Sequence, residues 1–289
     1  MAGTTFGDVV DTVLDTLQGQ TISPDLLTYL TADVDATTID IPVGNQGLIG
    51  GRGIIEIDDE LMQADSVDST GVVHLLPQGR GWRGTTAAPH TSGTTVVVRP
   101  LMPRANVKRA INEVVRALYP HIYGVVTFST TQPYFDYIPL PAAALDVLDV
   151  RWLVAGNEWR RSRMWETERD MPLISFGLLT RDIPFGASVQ VTYSTIPTEL
   201  TTESTDLASA GLESCEDILT FGALARLIQS VDVARISPLQ VQPTENVANR
   251  ALGMATNMAK DYRAQYVQAV LGQFNVLQRK YPTRPHKTR

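Results

Sequence analysis

Residues 53–98 read GIIEIDDELMQADSVDSTGVVHLLPQGRGWRGTTAAPHTSGTTVVV. The apolar residues come in short, β-branched runs separated by Gly, Pro and acidic pairs, which is the pattern of strands joined by turns. Ile55 and Ile57 alternate, Leu61 takes the alternation up again, and Asp58-Asp59 stand between them as a turn. The preceding TTIDIPVG (37–44) and the closing TTVVVRP (94–100) have the same texture, so 37–99 reads as a small β module.

The flanks read as helices. In residues 5–18, Phe6, Val9, Val10, Val13, Leu14 and Leu17 fall at the three-to-four spacing of an amphipathic helix, with Asp8, Asp11 and Asp15 opposite and Gly19 as a stop. Ser23 followed by Pro24 predicts a short second helix over 24–31. Downstream, PRANVKRAINEVVRALYP (103–120) predicts a strong helix with Val107, Ala110, Ile111, Val114, Val115 and Leu118 on its apolar face. A second β-rich stretch covers 125–197, within which the prolines of YIPLPAAAL (137–145) point to an edge strand or loop. Ser214 marks the start of a helix over 212–232. Thr244 starts the longest one, about 245–280, on the order of 50 Å at 1.5 Å per residue.

The expected fold is therefore α+β: a helical body with a long C-terminal helix, and one or two small antiparallel β modules outside it. The expected divisions are 1–36 (N-terminal helices), 37–100 (inserted β module), 101–124 (core helix), 125–200 (second β-rich region), 201–281 (C-terminal helices) and 282–289 (basic extended tail).

Composition narrows the function. The 289 residues are 43% hydrophobic but only 19% charged, below the roughly 25% of ordinary soluble domains. The net charge of −7 hides a split. Residues 1–78 hold 13 Asp or Glu and one basic residue, Arg52, whereas the last eleven residues hold five basic residues and no acid. No apolar run approaches the ~20 residues of a membrane span, and the N-terminus lacks the basic, apolar pattern of a secretory signal. The single Cys215 excludes an internal disulfide framework and a multi-thiolate zinc site. A protein that works inside the cell or on a particle is expected.

The chemical motifs mostly fail their context tests. Gly79-Arg80-Gly81-Trp82-Arg83-Gly84 matches G-x-G-x-x-G, but Pro89 and Gly93 follow within ten residues, so no helix can present its N-terminal amides to a pyrophosphate. Asp58-Asp59-Glu60 lacks the ligand spacing of a calcium loop and reads as a solvated turn. His74, His90, His121 and His286 form no helical pair, and acidic neighbours oppose a thiolate at Cys215, which reads as a buried, inert thiol. No catalytic constellation, metal site or cofactor is expected.

Two features suggest partners. In EWRRSRMWETER (158–169), alternation puts Trp159, Arg161, Arg163 and Trp165 on one strand face. That face is either a hairpin with Trp on Arg stems, a subunit or partner interface, or a stacking surface for single strands. The tail residues Arg279, Lys280, Tyr281, Arg284, Lys287 and Arg289 suit nucleic acid, an acidic protein surface, plain solvent or, because the front of the same chain is acidic, a self-complementary assembly.

The 53–98 stretch resembles a module of tailed-phage structural proteins. The resemblance is carried by Glu60, Met62, Arg80, Gly81, Trp82, Gly84, Thr85, Ala87, His90, Gly93, Thr94 and Val96, in order and spacing. With ESCEDILTFGALARLI (213–228) and the long final helix, the chain is similar to the head-to-tail adaptors of siphophage necks. The resemblance implies a structural, non-enzymatic protein of the virion neck, assembled in the host cytoplasm. It implies a homo-oligomeric ring of twelve copies below the portal protein, joined to a tail-side neck or stopper protein. It also implies passage of double-stranded DNA without sequence-specific binding, and no membrane. Under this reading the basic tail docks on the portal. A tail or baseplate component that contacts a receptor is the other virion role the sequence suits.

Overall fold

The computed structural model describes residues 3–20, 25–133, 137–154, 158–169, 176–228 and 247–281. The chain divides into two compact units. One comprises 7–113 and 219–265, the other 1–6, 114–218 and 266–289.

In the first unit, β1 (Leu26–Tyr29), β2 (Asp40–Pro42), β3 (Gly53–Ile57), β4 (Glu60–Val67), β5 (Val72–Leu75) and β6 (Thr95–Val98) form one antiparallel sheet in the order β1-β6-β3-β4-β5-β2. Its two outer strands meet at their ends through the Leu30–Val43 bridge. The Thr31 amide donates to the Pro42 carbonyl at 3.1 Å, and the Gly44 amide to the Tyr29 carbonyl at 3.0 Å. The sheet thus curls toward a small barrel. Period-two alternation fills it with Leu30, Ile41, Ile55, Ile57, Met62, Val73, Val96 and Val98, all buried. Each such side chain contributes roughly 1.5–3 kcal/mol of transfer free energy.

The helix predicted over 24–31 is instead strand β1, paired antiparallel with β6 from Leu26–Val98 to Tyr29–Thr95; Ser23 and Pro24, its expected cap and first residue, lie outside the described residues. An eight-residue helix has little stability of its own, and pairing gives the β6 edge its backbone partners. Thr28 and Leu30 turn inward, while Leu27 and Tyr29 stay exposed.

In the second unit, β7 (Gly124–Thr131), β9 (Val147–Val154), β10 (Glu158–Arg161) and β13 (Ser188–Thr195) form a sheet in the order β10-β9-β13-β7. β8 (Tyr137–Pro139), β11 (Trp165–Arg169) and β12 (Phe176–Thr180) form another, in the order β11-β12-β8. One core joins them, with Val150, Val189 and Val191 from the first sheet and Ile138 and Leu178 from the second. Proline-bounded β8 is an edge strand, as its sequence requires.

Four α-helices lie among the described residues: α1 (Phe6–Gly19), α2 (Arg104–Leu118), α3 (Glu216–Leu227) and α4 (Val247–Lys280). The predicted apolar face of α2 is buried throughout. Ser214 adopts φ 59 rather than capping α3, which starts two residues later. Cys215 is buried, and that burial, with Glu213 nearby, pushes its thiol up to about 12, so it stays protonated.

The expected helical body with small β modules outside it is wrong. Thirteen strands in three antiparallel sheets dominate the described residues. Helical periodicity showed where helices form but not what they cover. Of the described α4 side chains, Ala255, Ala259 and Leu277 are buried, whereas Val267, Leu271 and Val276 are about half exposed. The long helix is therefore not the organising core.

Candidate functional site

Arg80, Gly81 and His90, three of the motif residues of 53–98, converge on a fourth, the buried carboxylate of Glu60. Strands β3 and β4 are joined by the two-residue turn Asp58-Asp59, with Asp58 at φ 51, a conformation Asp tolerates better than most residues. The turn places Glu60, the first residue of β4, inside the fold with its side chain 1% exposed.

Arg80 grips it in a fork. Its Nε donates to Glu60 Oε1 at 2.7 Å and its Nη2 to Oε2 at 2.8 Å. The remaining Arg80 hydrogens go to the carbonyls of Asp35 (2.6 Å), Thr38 (2.8 Å) and Ala88 (2.6 Å). All five donors of the guanidinium are engaged. Glu60 also accepts from the Gly81 amide at 2.9 Å and the Ala88 amide at 3.0 Å, and its Oε2 lies 3.0 Å from His90 Nε2. His90 Nδ1 lies 2.8 Å from Asp58 Oδ2. Both imidazole nitrogens thus face carboxylate oxygens, which only accept.

Burial alone would raise the Glu60 carboxyl. The Arg80 fork, the Ala88 amide, His90 and the Gly81 amide outweigh it and hold the group at about 2.

The rest of the motif supports this clamp. Gly79 is required by close approach, since a Cβ there would lie 2.6 Å from the Gln63 carbonyl oxygen. Gly81 sits at φ 58 and leads into a single 3-10 turn, Trp82–Gly84, in which Trp82 is half-buried and Gly84 has φ 83. Thr85 Oγ1 accepts from the Leu61 amide at 3.1 Å and donates to the Trp82 carbonyl at 3.0 Å. Met62 is in the barrel core. The Gly93 amide, in the turn before β6, donates to the Leu30 carbonyl at 2.8 Å. The glycine-rich hexapeptide is a turn between β5 and β6, as the sequence context indicated.

The reading of 58–60 as a solvated turn holds for Asp58 and Asp59, 63% and 56% exposed, and fails for Glu60. The strand periodicity carried the missed signal, because pairing Ile57 with the next residue after a two-residue turn places that residue within the sheet.

Sequence reading also missed Glu56. It is buried on β3 and accepts from the Arg104 amide, the first residue of α2, at 2.6 Å. Desolvation dominates there and raises its carboxyl to about 7 against the Arg104 contacts.

The second candidate cluster is split. Trp159 and Arg161 lie on β10, but the strand ends at Arg161 and a new one, in the other sheet, starts at Trp165. The link is fixed by Asp182, which accepts from Ser162 Oγ at 2.5 Å and from the Arg163 amide at 3.1 Å. The expected common face of Trp159, Arg161, Arg163 and Trp165 therefore does not form. Trp165 packs against the core and Trp159 is 39% exposed. Instead Arg161 pairs across the sheet with Arg151, and the two share Asp149. Arg161 Nε donates to Asp149 Oδ1 at 2.5 Å and Arg151 Nε to Oδ2 at 2.8 Å.

Of the basic C-terminal residues, Arg279 and Lys280 end α4 exposed, and Lys280 lies 5.6 Å from the centre of the Tyr281 ring. Arg284, Lys287 and Arg289 lie outside the described residues.

No family model matches the chain, and no curated protein matches it. Among the described residues, no group of three or more His, Cys, Asp or Glu is placed to hold a metal ion, and no helix is long and apolar enough to cross a membrane.

Proposed function

We propose that the chain is a structural, non-enzymatic adaptor of a tailed-phage neck. In this role it forms a ring of about twelve copies between the portal protein and a tail-side neck or stopper protein. The observation that carries the reading is the saturation of Glu60. Four of the residues by which the sequence resembles virion proteins, Glu60, Arg80, Gly81 and His90, meet at one carboxylate, which also accepts from the Ala88 amide. That carboxylate has no lone pair left for a substrate or metal. A motif whose polar groups all satisfy one another is a structural lock, and such a lock suits a protein that transmits load between capsid and tail.

In this role DNA passes through the ring without sequence-specific contacts, and the acidic N-terminal third repels its phosphates. The basic C-terminal residues 279–289 dock on an acidic portal surface.

Cryo-imaging of the purified chain and of particle necks tests the proposal. Closed rings of fixed copy number, seated below the portal, are expected. A chain that stays monomeric at every concentration, or that is found as trimers at the tail tip, overturns it.

A further inference from the structure

A sheet edge offers unpaired backbone groups to any other chain, and proteins ordinarily blunt it with charge, proline, shortness or closure. Every edge of the three sheets except one is blunted in this way. The barrel edges β1 and β2 close on each other through the Leu30–Val43 bridge. β10 carries Glu158, Arg160 and Arg161 in four residues, β11 carries Glu166, Glu168 and Arg169 in five, and β8 is three residues long and ends in Pro139. β7 is the exception, since GVVTFSTT runs for eight residues with no charge and no proline. Its neighbour β13 is uncharged too, so the first charges of the sheet, Asp149 and Arg151 on the outer face of β9, lie two strands away, about 10 Å.

The alternation of the ladder fixes which groups of β7 are open. The Gln132 amide donates to the Ala187 carbonyl at 2.9 Å, in register with the ladder, so alternation sends the backbone of Thr130, Phe128 and Val126 to β13. The far side of the sheet agrees. The Ser162 amide donates to the Val150 carbonyl at 2.8 Å, which assigns Asp149 and Arg151, and with them Thr192 and Gln190, to the ladder between β9 and β13. Val125, Thr127, Ser129 and Thr131 therefore turn their N–H and C=O groups to the open edge, and among the described residues these groups have no partner. Both faces are accessible there: Val126 is 40% exposed on the core side, and Thr127 is exposed on the other.

We infer that β7 pairs antiparallel with β7 of a second copy, across a two-fold axis at Phe128, joining two four-stranded sheets into one. A two-fold axis sets each strand against itself, so any charge on the edge would meet its like. β7 alone among the edges is uncharged, open and long. With Phe128 facing its counterpart, Thr127 lies opposite Ser129 and Val125 opposite Thr131. Every outward group then meets another, for roughly eight hydrogen bonds. The two Phe128 residues form a non-hydrogen-bonded pair, the kind in which side chains stand closest. Val126 faces Thr130 of the second copy, which covers apolar surface that its own core leaves open. A two-fold contact is closed, so the inference neither needs nor forms the ring proposed above.

Sedimentation of the full chain over a concentration series tests it. The wild type is expected to dimerise with an affinity nearly independent of salt, because the contact holds no charge. Ser129→Lys sets like charges near the axis from an exposed position and should weaken the dimer about 30-fold, with unchanged thermal unfolding of the dilute monomer. Thr127→Cys and Ser129→Cys chains, mixed and oxidised, should cross-link between copies far more than either variant alone, since only that pair faces across the axis. The native Cys215 is buried and protonated, so it does not compete. A Ser129→Lys variant that dimerises like the wild type, or a mixture that cross-links no better than its parts, overturns the inference even where closed rings form. A wild type that is monomeric at every concentration overturns it together with the ring reading. If that monomer takes up a synthetic peptide of residues 124–132, the edge serves a strand of another protein and the inference falls.

Discussion

The barrel clamp and the outer face of the β10-β9-β13-β7 sheet both join arginine to a buried carboxylate, and they do opposite things with it. At the clamp one Arg80 serves one Glu60, every donor is used, and the side chains are only 9% and 1% exposed. On the sheet two arginines share Asp149, and the guanidiniums remain open to solvent. The ratio of cation to anion and the depth of burial decide whether an ion pair locks a fold or presents a charge. A saturated pair has nothing left to offer a partner, whereas an unsaturated one carries a net charge that a partner can neutralise.

The sharpest way to break the comparison is Arg80→Ala. It strands Glu60 as an uncompensated buried charge and should cost about 3–5 kcal/mol, read as a fall of roughly 10 °C or more in the melting temperature. An unchanged melting temperature would make the clamp no more structural than the sheet pair.

Next comes pH. Glu60 is depressed to about 2, so its stabilisation is full above the ordinary carboxyl value of 4.5 and is lost as pH falls from there toward 2. Glu56 is raised to about 7, so its effect has the opposite sign: stability is full below 4.5 and declines as pH rises through 7. Glu56→Gln should flatten that decline, by at most roughly 3 kcal/mol, in denaturation curves taken between pH 5 and 8. A decline that persists in the variant assigns it elsewhere.

Gly79→Ala forces a Cβ against the Gln63 carbonyl oxygen and should cost about 1–3 kcal/mol, visible as a lowered denaturant midpoint at constant slope. The smallest effect is Asp149→Asn. Its partners are exposed, so stability should fall by about 1 kcal/mol or less. A loss as large as that of Arg80→Ala would erase the distinction between the two sites.

Much of the barrel was legible in the sequence because its strands alternate locally and its turns carry Gly, Pro and Asp-Asp. Four of the motif residues that carried the resemblance, Glu60, Arg80, Gly81 and His90, proved to be neighbours in space. What stayed hidden depended on distant chain. β1 looked helical because Ser23-Pro24 is a local start signal, while its partner β6 lies some seventy residues on. The run from Trp159 to Trp165 kept its parity on paper, but Asp182 pulls the chain into another sheet at Ser162. Glu56, between Ile55 and Ile57, drew no reading, because what contacts it is the start of α2, some fifty residues on. The helical body was inferred from helix length, and length says nothing of what a helix packs against.

The clamp also sets how the barrel opens. Residues 76–94 contain little regular structure, and such loops ordinarily fray first. Here, however, Arg80 ties the loop to the carbonyls of Asp35 and Thr38 and to Glu60 at once. The segment cannot lift away without releasing two other stretches of chain, 35–38 and the start of β4. Its Gly81 and Ala88 amides should therefore exchange their hydrogens at the slow rate of the barrel strands, so that a loop by shape behaves as core by kinetics.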